Sequence, residues 1–211
     1  MIRKVDSKWL ILILIILHVV GVFGLISPFQ SLFLTLTPIN LLISAWFLLS
    51  KHQQLRAKFL LAFVLIAFTI GFISEVLGVN YGLIFGSYNY GPVLGPKFLE
   101  VPFMIGVNWV IVMYCSLAIA EKISGNRILQ IVLAVLLAVL LDFVMEPIAI
   151  HFNFWTWSDH DIPSSNYLGW SAIALLIAGI FKALKLRADN PLAIPLFVIQ
   201  FLFFLILGFL V

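Results

Sequence analysis

The sequence predicts an all-α fold, a polytopic transmembrane helical bundle of seven spans, and three observations carry that expectation. Of 211 residues, 64% are apolar and only 10% are charged, whereas a soluble domain of this size carries roughly a quarter charged residues. Hydrophobic runs fall at 9–26, 33–50, 59–79, 101–120, 128–150, 167–181 and 191–211. Each is close to the ~20 apolar residues that cover a bilayer core of about 30 Å. Seven of them use most of the chain, so residues 1–211 read as a single integral membrane domain.

The third observation is charge. Eleven of the twelve basic residues fall on one set of linkers. Arg3, Lys4 and Lys8 precede the first run; Lys51, Arg56 and Lys58 follow the second. Lys122 and Arg127 divide the fourth from the fifth, and Lys182, Lys185 and Arg187 the sixth from the seventh. The alternate linkers hold only Lys97. The positive-inside rule then predicts a cell (inner) membrane protein with a cytoplasmic amino terminus and an external carboxyl terminus. The first run resembles a signal peptide, but it is long and no small-x-small site follows it, so a retained first helix is expected. A net charge of +3 spread over loops points to no nucleic-acid partner. The single cysteine, Cys115, excludes an internal disulfide and reads as a small core or lipid-facing residue.

Two external linkers are unusual. Residues 80–100 read NYGLIFGSYNYGPVLGPKFLE and residues 151–166 read HFNFWTWSDHDIPSSN. Glycine and proline break regular helix through both. Their aromatic content predicts interfacial or re-entrant segments, the latter tolerated where protein shields the backbone.

Beside them lie carboxylates inside apolar runs: Glu75 in the third, and Asp142 and Glu146 in the fifth. Ionisable groups at such positions are costly and usually mark function. Both helices run outward, so the three acids should share a depth near the outer leaflet. Asp142 and Glu146, four residues apart, share a helix face. Lys97 and His151 are the nearby basic candidates, so one acid of this close pair is expected to keep its proton and serve as a donor. The bland alternative is a structural cluster of hydrogen bonds between helices. Pro147 is expected to kink or stop its helix. Asn108 with Trp109, and Asn166 with Gly169 and Trp170, open the helices after the two aromatic loops; each asparagine either caps a helix or orients a carboxyl. No spacing of histidines and carboxylates indicates a metal site, and no cofactor is expected.

These motifs resemble the membrane carotenoid-biosynthesis family that includes bacterial carotenoid 1′,2′-hydratases and bisanhydrobacterioruberin hydratases. The matching stretches are GFISEVLGVNYGLIFGSYNYGPVLGPK at 71–97, VPFMIGVNW at 101–109, LDFVMEP at 141–147 and NFWTWSDHDIPSSNYLGW at 153–170. Gly106 stands where the family pattern has a proline. The resemblance implies a lipophilic carotenoid substrate and addition of water across the terminal double bond of an acyclic ψ end group. Such an alkene needs a positioned acid, a tertiary cation follows, and a second carboxylate takes the proton of the attacking water. On that expectation Asp142 is the proton donor, Glu146 its partner and Glu75 the base. Tyr88, Tyr90, Trp155, Trp157 and Trp170 are candidates to face the cation.

A lycopene cyclase would form the same cation and quench it internally. A proton-coupled transporter also uses membrane carboxylates, but in paired broken helices at the midplane. A retinal photoreceptor needs a lysine in the last run, and residues 191–211 have none. Oligomeric state leaves no mark in the sequence.

Overall fold

The structure is a computed structural model that describes residues 5–53, 57–159 and 161–211. Its helices are α1 (Ser7–Leu25), α2 (Gln30–Ser50), α3 (Ala57–Tyr81), α4 (Phe103–Ile123), α5 (Arg127–His151), α6 (Ser164–Ala183) and α7 (Ala193–Leu210). All seven contain a stretch long and apolar enough to cross a membrane, and the protein is a multi-pass membrane protein. The predicted runs and these helices coincide to within three residues at every end. The helices alternate in direction, so one end of the bundle collects the basic linkers and the other the aromatic segments. Arg3, Lys4 and Arg56 lie outside the described residues.

The bundle is built around α4, which packs against α2, α3, α5, α6 and α7. Its most apolar window is 72% buried, against 22–44% for the other six. Cys115 is one of its buried residues. The other helices expose Leu, Ile, Val and Phe outward, as a lipid-facing surface requires. α5 and α6 pack together and each buries small residues, Ala134, Ala138 and Ala149 on the first and Ala174 and Ala178 on the second, which lets neighbouring backbones approach. Gly106 serves close packing too: a Cβ there would meet the Phe68 ring at 2.6 Å.

Helix ends follow their local chemistry. Asp6 accepts from the Lys8 amide to cap α1, and Asn126 accepts from the Ile128 and Leu129 amides to cap α5. Pro102 and Pro163 occupy the N-cap positions of α4 and α6. Of the two effects expected of Pro147, a kink or a stop, the stop does not occur: α5 continues through it to His151. A proline also lies within α2, at Pro38. At the basic end, Lys182 pairs with Glu121 at 2.5 Å and His52 bonds the Tyr114 hydroxyl at 2.5 Å.

The aromatic segments are more regular than the sequence suggested. Residues Tyr88–Tyr90 form β1, Lys97–Phe98 β2, Val101–Pro102 β3 and Trp155–Trp157 β4. β2 and β3 make a hairpin whose central residues, Leu99 and Glu100, have positive φ of 50° and 65°, the geometry of a type I′ turn. β1 and β4 pair antiparallel across the two segments, with Tyr88 opposite Trp157, Asn89 opposite Thr156 and Tyr90 opposite Trp155. The ladder is extended by Gly91 donating to the Phe154 carbonyl and Ser158 to the Ser87 carbonyl. Gly91 is required here: a Cβ would sit 1.9 Å from the Asn153 carbonyl oxygen. The two segments therefore form one lid over the bundle, tied by its own hydrogen bonds, which satisfies backbone groups that lipid cannot.

A candidate active site at the aromatic end

Side chains alternate along a strand, so the Tyr-x-Tyr of β1 and Trp-x-Trp of β4 place all four rings on the buried face of the lid. Asn89 and Thr156 point the other way and are exposed. Beneath the rings lie the three carboxylates, with 4% of Glu75 and 1% each of Asp142 and Glu146 exposed.

Each glutamate sits in a nest of neutral donors. Glu75 Oε2 accepts from the Tyr88 and Tyr90 hydroxyls, the second at 2.7 Å, and its Oε1 accepts from the Trp109 indole N–H at 3.0 Å. Glu146 Oε2 accepts from the Trp155 and Trp157 indoles, both at 3.0 Å, and its Oε1 from the Asn166 amide at 3.0 Å. The same Asn166 nitrogen donates to Asp142 Oδ2 at 2.9 Å. Five of the six carboxyl oxygens thus have a donor. The sixth, Asp142 Oδ1, is buried with no partner.

Backbone and glycine explain the nest around Glu75. Gly71 lies one turn before it and Gly78 one turn after, on the same face. A Cβ at Gly71 would meet the Trp109 ring at 2.4 Å, and one at Gly78 would meet the Tyr88 hydroxyl at 2.7 Å. The two gaps admit the side chains that bond Glu75. Burial first, and then the charge of Glu75, push the Tyr88 and Tyr90 hydroxyls well above the usual tyrosine range, so both remain protonated donors.

The carboxylates line a common cavity of about 20 Å³, enough for one water-sized group. All eleven residues singled out from the sequence border it: Glu75, Asp142, Glu146, Tyr88, Tyr90, Asn108, Trp109, Trp155, Trp157, Asn166 and Trp170. Phe85, Ile105 and Met145 complete the lining. Trp109 and Trp170 stack at 4.0 Å between centroids, and Tyr88 lies 4.9 Å from Trp157.

Of the two roles open to the asparagines, Asn166, the third residue of α6, takes the second: it orients carboxyls and does not cap the helix. Asn108 sits a turn inside α4 and likewise is no cap. Other details differ from expectation. Trp109, Trp155 and Trp157 offer their N–H edges to carboxyls, so their polar atoms matter as much as their faces. His151 is exposed, edge-on to Phe152 and outside the cavity. Lys97 donates to the Tyr90 carbonyl at 2.5 Å, bracing β1 instead of neutralising an acid.

The arrangement invites comparison with known proteins. Residues 29–211 match the family described as carotenoid biosynthesis protein. The chain belongs to that family. It is also 29% identical over 114 residues to a bisanhydrobacterioruberin hydratase from Haloarcula japonica. That similarity covers 49% of this chain and 39% of the hydratase, so it spans well under half of that relative's length. No solved structure matches the chain. This member of the carotenoid-biosynthesis family is accordingly a multi-pass membrane protein with a buried, donor-rich carboxylate cluster.

Proposed function

We propose that the protein is a carotenoid hydratase, adding water to the terminal (1′,2′) double bond of an acyclic ψ end group. The observation that carries this reading is the unpartnered Asp142 Oδ1. An ionised oxygen buried without a donor costs more than a protonated one, while every other carboxyl oxygen is satisfied as an acceptor. Asp142 therefore fits the acid role, with its proton available to the cavity.

The two glutamates differ in what their donors can do. A tyrosine hydroxyl both donates and accepts, whereas an indole N–H only donates. Water beside Tyr88 or Tyr90 can pass a proton to a phenol oxygen as that phenol passes its own to Glu75. Glu146, held by Trp155, Trp157 and Asn166, has no such relay and serves as the fixed negative partner of Asp142. In the proposed sequence Asp142 protonates the less substituted alkene carbon, the tertiary cation forms, and water attacks it. The water's proton reaches Glu75 through a tyrosine. Return of that proton to Asp142 restores the enzyme, and the net change is alkene plus water to tertiary alcohol. Aromatic faces on all sides favour the cation, each by up to about 2 kcal/mol when desolvated.

A cyclase would start from the same cation. Hydration is favoured by the donor-lined cavity of one water's size and by the hydratase relative. Expression in a lycopene-accumulating host, followed by mass analysis of the pigments, tests the choice. Products heavier by one water per modified end are expected; products of unchanged mass would replace hydration with cyclisation. The same reading puts the aromatic lid outside the cytoplasm and the basic linkers inside, in the cell membrane. Single cysteines at Ser87 and Ser164 should label in intact cells; labelling only after permeabilisation would reverse the orientation.

A further inference from the structure

A second, larger cavity of about 300 Å³ lies among α1, α2, α4 and α7. It is mostly apolar, with His18, Thr37, Asn40, Asn108 and Gln200 as the polar members of its lining, and its volume falls at the lower end of the range for small-molecule sites. Two features give it a direction. At one end it shares Ile105, Asn108, Met145 and Trp155 with the carboxylate cavity, so those four side chains form the partition between the two spaces. At the other it is bordered by Val20, Leu36 and Ile39, which are 48%, 40% and 52% exposed on the apolar flank of α1 and α2. Its mouth therefore opens sideways, toward hydrocarbon rather than toward either aqueous face.

We propose that this cavity is the berth of the substrate's acyclic chain, entered laterally from the bilayer and delivering the terminal alkene to the carboxylates. The inference rests on the carotenoid reading above and deepens it. A substrate dissolved in lipid gains nothing from a polar entrance, because crossing one would mean leaving its solvent. A lateral apolar slot that ends against acids solves that problem. The berth is smaller than a whole carotenoid, so it takes the reacting arm while the remainder of the chain stays in the membrane. The partition also fixes the order of events: the end group must pass Met145 and Trp155, whose indole already holds Glu146. Arrival of the substrate and positioning of the acid pair thus involve the same residue.

Gly21 is the natural place to close the slot. It lines the cavity, and a Cβ there would stand 3.3 Å from the tip of the ring of Phe203, another lining residue, so a larger side chain competes for space in the berth. Thr37, on α2, lines the opposite wall, with its hydroxyl bonded to its own helix at the Phe33 carbonyl. Full-length protein is purified in detergent, loaded with lycopene and washed, and retained pigment is measured by absorbance. The proteins compared are the wild type, Asp142→Asn, Gly21→Phe, Thr37→Phe and the lipid-face control Leu61→Phe. Wild type, Asp142→Asn and Leu61→Phe should retain lycopene. Gly21→Phe and Thr37→Phe, while eluting as intact monodisperse protein, should retain at least about tenfold less, the effect of losing two or three buried methylene-sized contacts. Equal retention by the two blocked variants, or none by the wild type, overturns the berth. Conversion in lycopene-accumulating cells separates the two claims. Retention without a water-mass product sustains the berth and ends the hydratase reading. Normal hydration by both blocked variants ends the berth and leaves the hydratase reading in place.

Discussion

The α3–β1–α4 segment and the α5–β4–α6 segment solve the same problem twice. Each runs from a helix bearing a buried glutamate through a strand of alternating aromatics to a proline-capped helix carrying an asparagine and a tryptophan. In each, one glutamate oxygen takes two donors from the strand and the other takes one from the following helix. The strands pair with each other, and Trp109 and Trp170 stack face to face. Against this likeness two differences stand out. One strand offers phenols where the other offers indoles. Four residues before the glutamate, the first segment has Gly71 and the second Asp142. The shared parts build a cage for buried carboxyls, and under the proposed mechanism the differences supply the acid and the proton relay.

The largest expected effect comes from erasing the second difference. Asp142→Gly makes the two segments alike, and Asp142→Asn removes only the acid. Both should lower conversion of lycopene by roughly 10²–10⁴-fold, the usual worth of a general acid, while Asp142→Glu recovers part of it. Chromatography and mass analysis of extracted pigments give the readout. Near-normal hydration by Asp142→Asn would show that the acid lies elsewhere in the cage.

Exchanging donors probes the first difference. Tyr88→Phe with Tyr90→Phe strips Glu75 Oε2 of both donors and of the relay; Trp155→Phe with Trp157→Phe strips Glu146 Oε2 of donors alone. Each lost partner of a buried carboxyl should cost about 1–3 kcal/mol of stability, so both doubles melt earlier. Only the tyrosine pair should also slow turnover by about a hundredfold at equal amounts of folded protein. Equal kinetic losses from the two doubles would remove the distinction between relay and cage.

Close approach comes next. Gly71→Ala drives a methyl into the Trp109 ring and Gly78→Ala one into the Tyr88 hydroxyl. Overpacking of this kind costs typically 1–3 kcal/mol. Gly125→Ala, with nothing within 4 Å, is the neutral control. Thermal melts of the purified proteins should rank Gly71→Ala and Gly78→Ala below wild type, with Gly125→Ala equal to it.

Much of this was visible in the residues. Seven spans followed from apolar run length because lipid leaves a helix few alternatives. The carboxylates stood out because membrane positions rarely tolerate charge. The Tyr-x-Tyr and Trp-x-Trp alternation was also present, yet three-residue strands carry too little periodicity to register among glycines and prolines, and their pairing joins segments some seventy residues apart. The glycines around Glu75 gave no signal of their own, since nothing in a single sequence says which ring will need the space. Asn40 and Gln200, whose side-chain oxygens are buried and unpartnered along the larger cavity, were likewise indistinguishable from ordinary polar helix residues.

The smallest effect is expected where the two segments diverge without consequence for the carboxyls. Asn166 bridges Asp142 and Glu146, so Asn166→Leu should strip one donor from each and behave as a broken cage. Asn108 borders the same cavity, yet no carboxyl accepts from it in the network described above. It also stands in the partition toward the apolar cavity, which a hydrocarbon end group would pass if that cavity is the berth. Asn108→Leu keeps the heavy-atom count and branching, adds some bulk and removes polarity from that passage. A change that unpairs no carboxyl should cost stability no more than the about 1–3 kcal/mol of modest overpacking and leave lycopene hydration within a few-fold of wild type. Parallel melts and pigment analyses of Asn108→Leu and Asn166→Leu check the contrast. A tenfold or larger fall in turnover for Asn108→Leu, with the fold intact, would place Asn108 among the groups that hold the attacking water, and the first segment would then need its asparagine as much as the second.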